Sequence, residues 1–319
     1  MLLAYITSLL LLSLQSLSAG GIEAHFKQVT DKSSCRSINH IDFIYMINLD
    51  ERPEKFASCI EQLAPYGINP CRFSAVNGWK LTYDAIDQLG VKYTPDMKRD
   101  LWGTTYDSRD GTPHHEVMHK VGRTYFCHCM SRGAIGICLS HLSILQDAYN
   151  SGYQTIWVME DDIQVLRNPH CLSQLIEKLD KLARKEGKKW DIFFTDQDTK
   201  NQEGNYVRCN GFARKPNFSP RNTDRFSKRT EYPSFRKVGA RYGAYSMIIR
   251  RSGMEKILNF MKRYKLFLPY DMEFYLPEDI VMFSVTQDVV STQPRALSDN
   301  GSPPPENKKH EQNQQGEKQ

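Results

Sequence analysis

Ile156-Trp-Val-Met-Glu160-Asp161-Asp162-Ile163 places three consecutive carboxylates at the end of a short apolar run, with a second apolar run beyond. Adjacent anions repel one another and would weaken a strand interior, so they belong where a buried strand leaves its sheet. There they can hold a divalent cation. Mg²⁺ and Mn²⁺ seek oxygen and are commonly bound by one or two carboxylates together with substrate phosphates. A helix start or an acidic loop is the plain alternative, because acids also favour helix N-termini.

On both sides of this stretch the chain alternates strand and helix signals. Phe43–Leu49 is an apolar run of strand length, followed by Asp50 as a helix cap and Phe56, Ile60 and Leu63 at helical spacing. A second strand runs from Cys71 to Val76 and closes at Asn77-Gly78. Residues 134–150 carry Cys138, Leu142, Leu145 and Tyr149 on one helical face. After the acids, Asn168-Pro169 opens a helix lined by Leu172, Leu175, Ile176, Leu179 and Leu182, and residues 190–195 make a strand ending at Asp196. Gly243–Arg250 is a last strand, and Ser252-x-x-Glu255 is a capping box for the helix behind it. This order predicts an α/β domain over about 40–297, with a Rossmann-like, mostly parallel sheet and helices on both faces. Ligands of such sheets bind beyond the carboxyl ends of the strands, which is where Asn48, Glu160, Asp161, Asp162 and Asp196 fall.

The 319 residues, 40% apolar, can bury a real core, and a formal charge of +5 does not point to nucleic acid. Eight cysteines without a repeated CxxC pair leave disulfides open. Residues 1–20 read as a signal peptide or membrane anchor, although no Lys or Arg precedes the apolar segment. That implies a secretory, periplasmic or membrane-associated setting, the cytoplasmic face of a membrane being the other choice. Residues 298–319 are polar and read as a disordered tail. Two long polar insertions interrupt the pattern, at about 91–130 and 198–241. The second holds eleven Lys and Arg against four acids, which suggests a surface for an anionic acceptor or membrane, or simply a solubilising loop.

Within the first insertion, His115-Glu116-Val-Met-His119 matches H-E-x-x-H, the zinc-protease pattern. The surrounding residues lack the apolar helical face that would seat it, so incidental loop residues, or a structural metal with Cys127, His128 or Cys129, are the other readings. His141 lies on an apolar helix face and reads first as a core histidine. Asp271, in Pro269-Tyr-Asp, either caps a turn or serves as a general base.

Taken in order, Ile47-Asn-Leu-Asp-Glu-Arg-Pro-Glu-Lys55, Phe73-Ser-Ala-Val-Asn-Gly78, Gly133-Ala-Ile-Gly-Ile-Cys-Leu-Ser-His141, Val158-Met-Glu-Asp-Asp162, Trp190-Asp-Ile-Phe-Phe194, Gly243-Ala-Tyr-Ser-Met-Ile-Ile249 and Pro269-Tyr-Asp271 resemble glycosyltransferase family 25. That family includes lipooligosaccharide and procollagen galactosyltransferases. The resemblance implies a GT-A type nucleotide-diphospho-sugar transferase fold and a UDP-sugar donor, galactose being commonest. It also implies inversion at the anomeric carbon and a glycan or glycolipid acceptor such as lipopolysaccharide. On that basis Glu160, Asp161 and Asp162 would hold Mn²⁺ or Mg²⁺. Asn48, Arg52, Asn77 and Gly78 would flank the nucleotide, and Asp271 would be the base. A zinc protease and a non-catalytic secreted binding protein are the competing classes.

Overall fold

A computed structural model describes residues 21–29, 32, 38–201, 203–294, 296 and 298–303. The leader-like residues 1–20 and the tail from 304 onward lie outside them. Eight strands form the central sheet: β1 (Phe43–Asn48), β2 (Cys71–Ser74), β3 (Thr155–Glu160), β4 (Ile192–Phe194), β5 (Arg229–Glu231), β6 (Phe235–Val238), β7 (Ser246–Arg250) and β8 (Met282–Val285). Their spatial order is β5-β6-β8-β4-β7-β3-β1-β2. The helices are α1 (Pro53–Leu63), α2 (Tyr83–Leu89), α3 (Arg132–Asn150), α4 (Cys171–Lys185), α5 (Arg251–Tyr264) and the short α6 (Tyr270–Glu273).

The pleat sends successive side chains to opposite faces, and each central strand feeds two cores. Tyr45, Ile47, Ile156 and Val158 join one core with α2, α3 and α5. Ile44, Met46, Trp157 and Met159 join the other with α1 and α4. All six residues of β1 are buried, as expected of a strand covered on both sides.

The sheet is mixed rather than mostly parallel. Only β1–β2, β1–β3 and β4–β8 run parallel. β7 runs antiparallel between β3 and β4, and β5, β6 and β8 pair antiparallel. Apolar character on both faces reports burial, not direction. β7 follows the long 198–241 excursion instead of a crossover helix, so the chain is free to re-enter from the opposite end.

The described residues of both insertions form defined structure. Strands Val91–Lys92, Thr124–Cys127, Trp102–Tyr106 and Pro113–Val117 form, in that spatial order, a small antiparallel sheet. His115 and Glu116 therefore lie on a strand, not a helix. His115 Nδ1 is 2.9 Å from Thr104 Oγ1, while Glu116 accepts from Tyr125 and Arg123, and His119 Nδ1 sits 2.7 Å from the Val117 carbonyl. Zinc ligands four residues apart need a helical turn to converge. Among the described residues no three His, Cys, Asp or Glu side chains gather as a metal-ligand group. The protease reading is corrected on that geometry.

The basic 198–241 segment contributes β5 and β6 to the sheet edge, and five of its eleven cations, Lys200, Lys215, Arg229, Arg236 and Arg241, pair with acids nearby or far along the chain. Lys200 pairs with Asp288 at 2.6 Å and Arg229 with Asp198 at 2.6 Å, while Lys215 pairs with Glu273 and Arg241 with Asp196 inside the protein. Arg225 donates to the Leu276 carbonyl. Of the eleven, Arg208, Arg214, Arg221 and Lys228 are exposed. A continuous basic surface for an anionic acceptor is therefore not what this segment builds. No described helix is long and apolar enough to cross a membrane.

Candidate active site

The carboxyl ends of β1 and β3 open into a cleft of about 680 Å³. Its walls are Asn48, Lys55, residues 75–79, the start of α3, the acids Glu160, Asp161 and Asp162, and residues 298–300. Parallel register sets Ile47 beside Glu160, so Asn48 and the acids leave the sheet together.

The three acids have separate surroundings. Asn48 Nδ2 donates to Asp161 Oδ2 at 2.6 Å and to the Arg52 carbonyl at 2.8 Å, and its Oδ1 accepts from Arg72 Nε at 2.8 Å. Both amide hydrogens are used, so Asn48 orients Asp161 rather than reaching outward. Burial raises the Asp161 carboxyl, with the Asn48 bond opposing it. Asp162 Oδ1 is buried without a hydrogen-bond partner. Burial, and then the Glu160 and Asp161 charges, push its carboxyl up to about 7. Glu160 Oε1 lies 2.9 Å from Nε2 of His141, a buried residue of α3 whose ring stacks on Tyr270 at 4.2 Å.

A second hollow of about 540 Å³ adjoins the first and shares Ile137, Glu160, Ser298 and Asn300 with it. Its far wall carries Gly243, Tyr245 and Asp271. Asp271, in the first turn of α6, accepts the Gly243 N–H at 3.2 Å. Burial raises its carboxyl, and the Gly243 N–H partly offsets that. Gly243 has φ +80°, a left-handed conformation that side chains rarely adopt. At the end of α6, Glu273 Oε2 accepts the N–H groups of Phe267 and Leu268 at 3.2 and 3.0 Å, and its other oxygen takes the buried Lys215.

The remaining expected residues fall as follows. Arg52 stands directly behind the cleft wall, where its guanidinium holds Glu54 at 2.7 Å and the wall residue Asp299 at 2.5 Å. Lys55, three residues on, is on the wall instead and holds Asp299 at 2.8 Å. Asn77 caps a short turn, accepting the Trp79 N–H at 3.0 Å while donating to Glu51 at 3.0 Å. Asp196 is buried in a network with Arg241, Tyr245 and Ser291 and takes no part in the cleft. Residues 298–300 pack on the site, with Ser131 donating to the Asn300 carbonyl at 2.6 Å.

Gly78 is a packing glycine. A Cβ there would meet the Arg132 carbonyl oxygen at 1.8 Å, and one at Gly136 would meet the Val76 oxygen at 2.4 Å. These two glycines let the 76–78 turn lie on α3. Gly78→Ala is expected to cost about 2–3 kcal/mol through forced backbone movement, read as a fall in the thermal midpoint. An unchanged midpoint would show that α3 gives way freely.

The sequence profile of Glycosyltransferase family 25 (LPS biosynthesis protein) matches residues 41–274, which takes in all three acids, Asp271 and the lining of both hollows except residues 298–300. The chain belongs to glycosyltransferase family 25. A "Glycosyltransferase 25 family member" of Aedes aegypti is 27% identical over 154 residues, 48% of this chain and 21% of that protein. An "Inactive glycosyltransferase 25 family member 3" of Homo sapiens is 25% identical over 175 residues, 55% of this chain and 25% of that protein. A Drosophila melanogaster family member is 26% identical over 140 residues, 44% of this chain and 18% of that protein. The match thus spans a quarter or less of the length of these relatives.

Sequence reading missed three parts of this family 25 site. Lys55 was quoted within the first block and given no role. The His141–Glu160 contact joins residues whose side chains meet only when α3 packs on β3. Asp299 stood in a segment judged by composition alone, and its partners Arg52 and Lys55 lie 247 and 244 residues away along the chain, so no local signal marked it.

Proposed function

We propose that the chain is a GT-A type glycosyltransferase domain that moves a sugar from a UDP-sugar, galactose first among candidates, to a hydroxyl of a glycan or glycolipid, with inversion. The observation that supports this most is the pair of adjoining hollows with Glu160 between them, acids on one side and Asp271 on the other. The first would take the donor and the second the acceptor.

A divalent ion fits the acids. Asp162 keeps a buried oxygen with no partner, and like charges surround it. Because the three carboxylates do not gather as a full ligand set, Asp162 with Glu160 or Asp161 would hold Mg²⁺ or Mn²⁺ and the donor phosphates would complete the shell. Such an ion supplies charge neutralisation at the leaving diphosphate. The chain's own residues do the rest. Asp271, raised by burial, takes the proton of the attacking hydroxyl, and the Gly243 N–H holds its carboxylate in place. His141 holds Glu160 where the two hollows meet. Attack from the acceptor hollow, on the face opposite the diphosphate, inverts the sugar.

The human relative named as inactive supports a second reading, a family member that binds sugar nucleotides without transferring them. A panel of UDP-sugars and acceptors, with Mn²⁺ or with EDTA, separates the two. Ion-dependent UDP release supports transfer, and its absence with every donor overturns it. His115→Ala with His119→Ala should leave release within about threefold, because His115 lies on the small sheet, His119 follows it in a loop, and neither lines the two hollows. A complete loss in that double variant would return the histidines to the chemistry.

A further inference from the structure

The cleft already holds one anion. Asp299 sends Oδ1 to Arg52 at 2.5 Å and Oδ2 to Lys55 at 2.8 Å, and all three side chains are about 15% exposed. Its carbonyl accepts the indole N–H of Trp79 at 3.3 Å. The next residue, Asn300, lies on the start of α3, where a Cβ at Gly133 would meet its oxygen at 2.5 Å. Residues 298–300 thus run across the cleft as a strap fixed at both edges, on walls that face the acids Glu160–Asp162.

Two cations sharing one carboxylate, in a hollow with an acid cluster for an ion, make a place for a phosphate group. The Asp299 carboxylate stands where a phosphoryl group of a nucleoside diphosphate would bring its oxygens. We infer that Arg52 and Lys55 form the phosphate subsite of the cleft, and that Asp299 is its internal occupant, displaced when a nucleoside diphosphate enters. This rests on the reading of the cleft as the donor site, and adds to it both an assigned pair of cations and a built-in competitor. A subsite filled by its own chain nine-tenths of the time weakens apparent affinity about tenfold. Opening also frees the Trp79 indole from its bond to the strap, so Trp79 reports on it.

The test is titration of the full chain with UDP, with inorganic diphosphate and with uridine, each with Mn²⁺, by calorimetry and by tryptophan fluorescence against a Trp79→Phe control. Asp299→Asn keeps the shape of the strap and removes its charge. UDP and diphosphate should then bind about five- to twentyfold more tightly, uridine unchanged, and the UDP-induced change in Trp79 emission should shrink. Lys55→Met should weaken UDP by tenfold or more and leave uridine unchanged. If wild type binds UDP and Asp299→Asn binds it no better, Asp299 is not an occupant. If Lys55→Met binds UDP normally, the subsite is elsewhere. If wild type fails to bind UDP at millimolar concentration, the donor-site reading itself falls, and the inference with it. Thermal melts of both variants confirm that the fold is kept.

Discussion

Asp271→Asn is expected to slow sugar transfer about a thousandfold while leaving UDP affinity within twofold of wild type. General-base assistance contributes roughly 10²–10⁴ in rate, and asparagine cannot accept a proton. The amide oxygen can still accept the Gly243 N–H, so the backbone around α6 keeps its anchor. The Lys215–Glu273 pair below is untouched. Burial raises the Asp271 carboxyl, so its basic form appears at a higher pH than for an ordinary carboxylate. The wild-type rate should therefore rise with pH through that raised value, and the variant's residual rate should lack this acid limb. Initial rates of UDP release with a responsive acceptor, beside UDP titration, decide it. A variant within tenfold of wild type would mean that another group takes the proton.

What could be read in the sequence divides along physical lines. β1 and β3 were legible because strands buried on both faces are continuous apolar runs, and the acids were legible because repulsion needs a strand end to make sense. The direction of β7 was not, since burial is the same whichever way a strand runs. The basic insertion misled for a related reason. Local charge counting sees eleven cations together, but Lys215, Lys200 and Arg241 find acids at Glu273, Asp288 and Asp196, outside the insertion. H-E-x-x-H could be discounted in the sequence for want of an apolar helical face, because the pattern carries chemistry only on a helix, and cross-strand pairing made Pro113–Val117 a strand. His141 was legible as a buried residue, while its partner Glu160 was legible only as a member of the acid cluster. The contact between them belongs to tertiary packing, which neither periodicity nor spacing reports.

The second large effect lies at Asp162. Asparagine there removes one charge from the three acids and leaves the shape nearly intact. If an ion at that point stabilises the leaving diphosphate, losing about 3 kcal/mol of that help slows transfer roughly a hundredfold at saturating Mn²⁺. Stability should move the other way in ion-free protein. The folded carboxyl sits at about 7, above its unfolded value near 3.8. Between those values the folded state holds more protons than the unfolded state, so wild-type stability falls as pH rises from about 4 to 7. A shift of about three units is worth about 4 kcal/mol at most. Sharing of charge with Glu160 and Asp161, and partial exposure, bring the expected gain for the variant nearer about 1–2 kcal/mol above pH 7. At pH 4 that gain should vanish, and Mn²⁺ should raise the wild-type midpoint at pH 8 more than that of the variant. Thermal melts at pH 4 and 8, with EDTA and with Mn²⁺, carry the test alongside the rates. A variant that transfers normally and gains the same stabilisation from Mn²⁺ as wild type would take the ion away from Asp162.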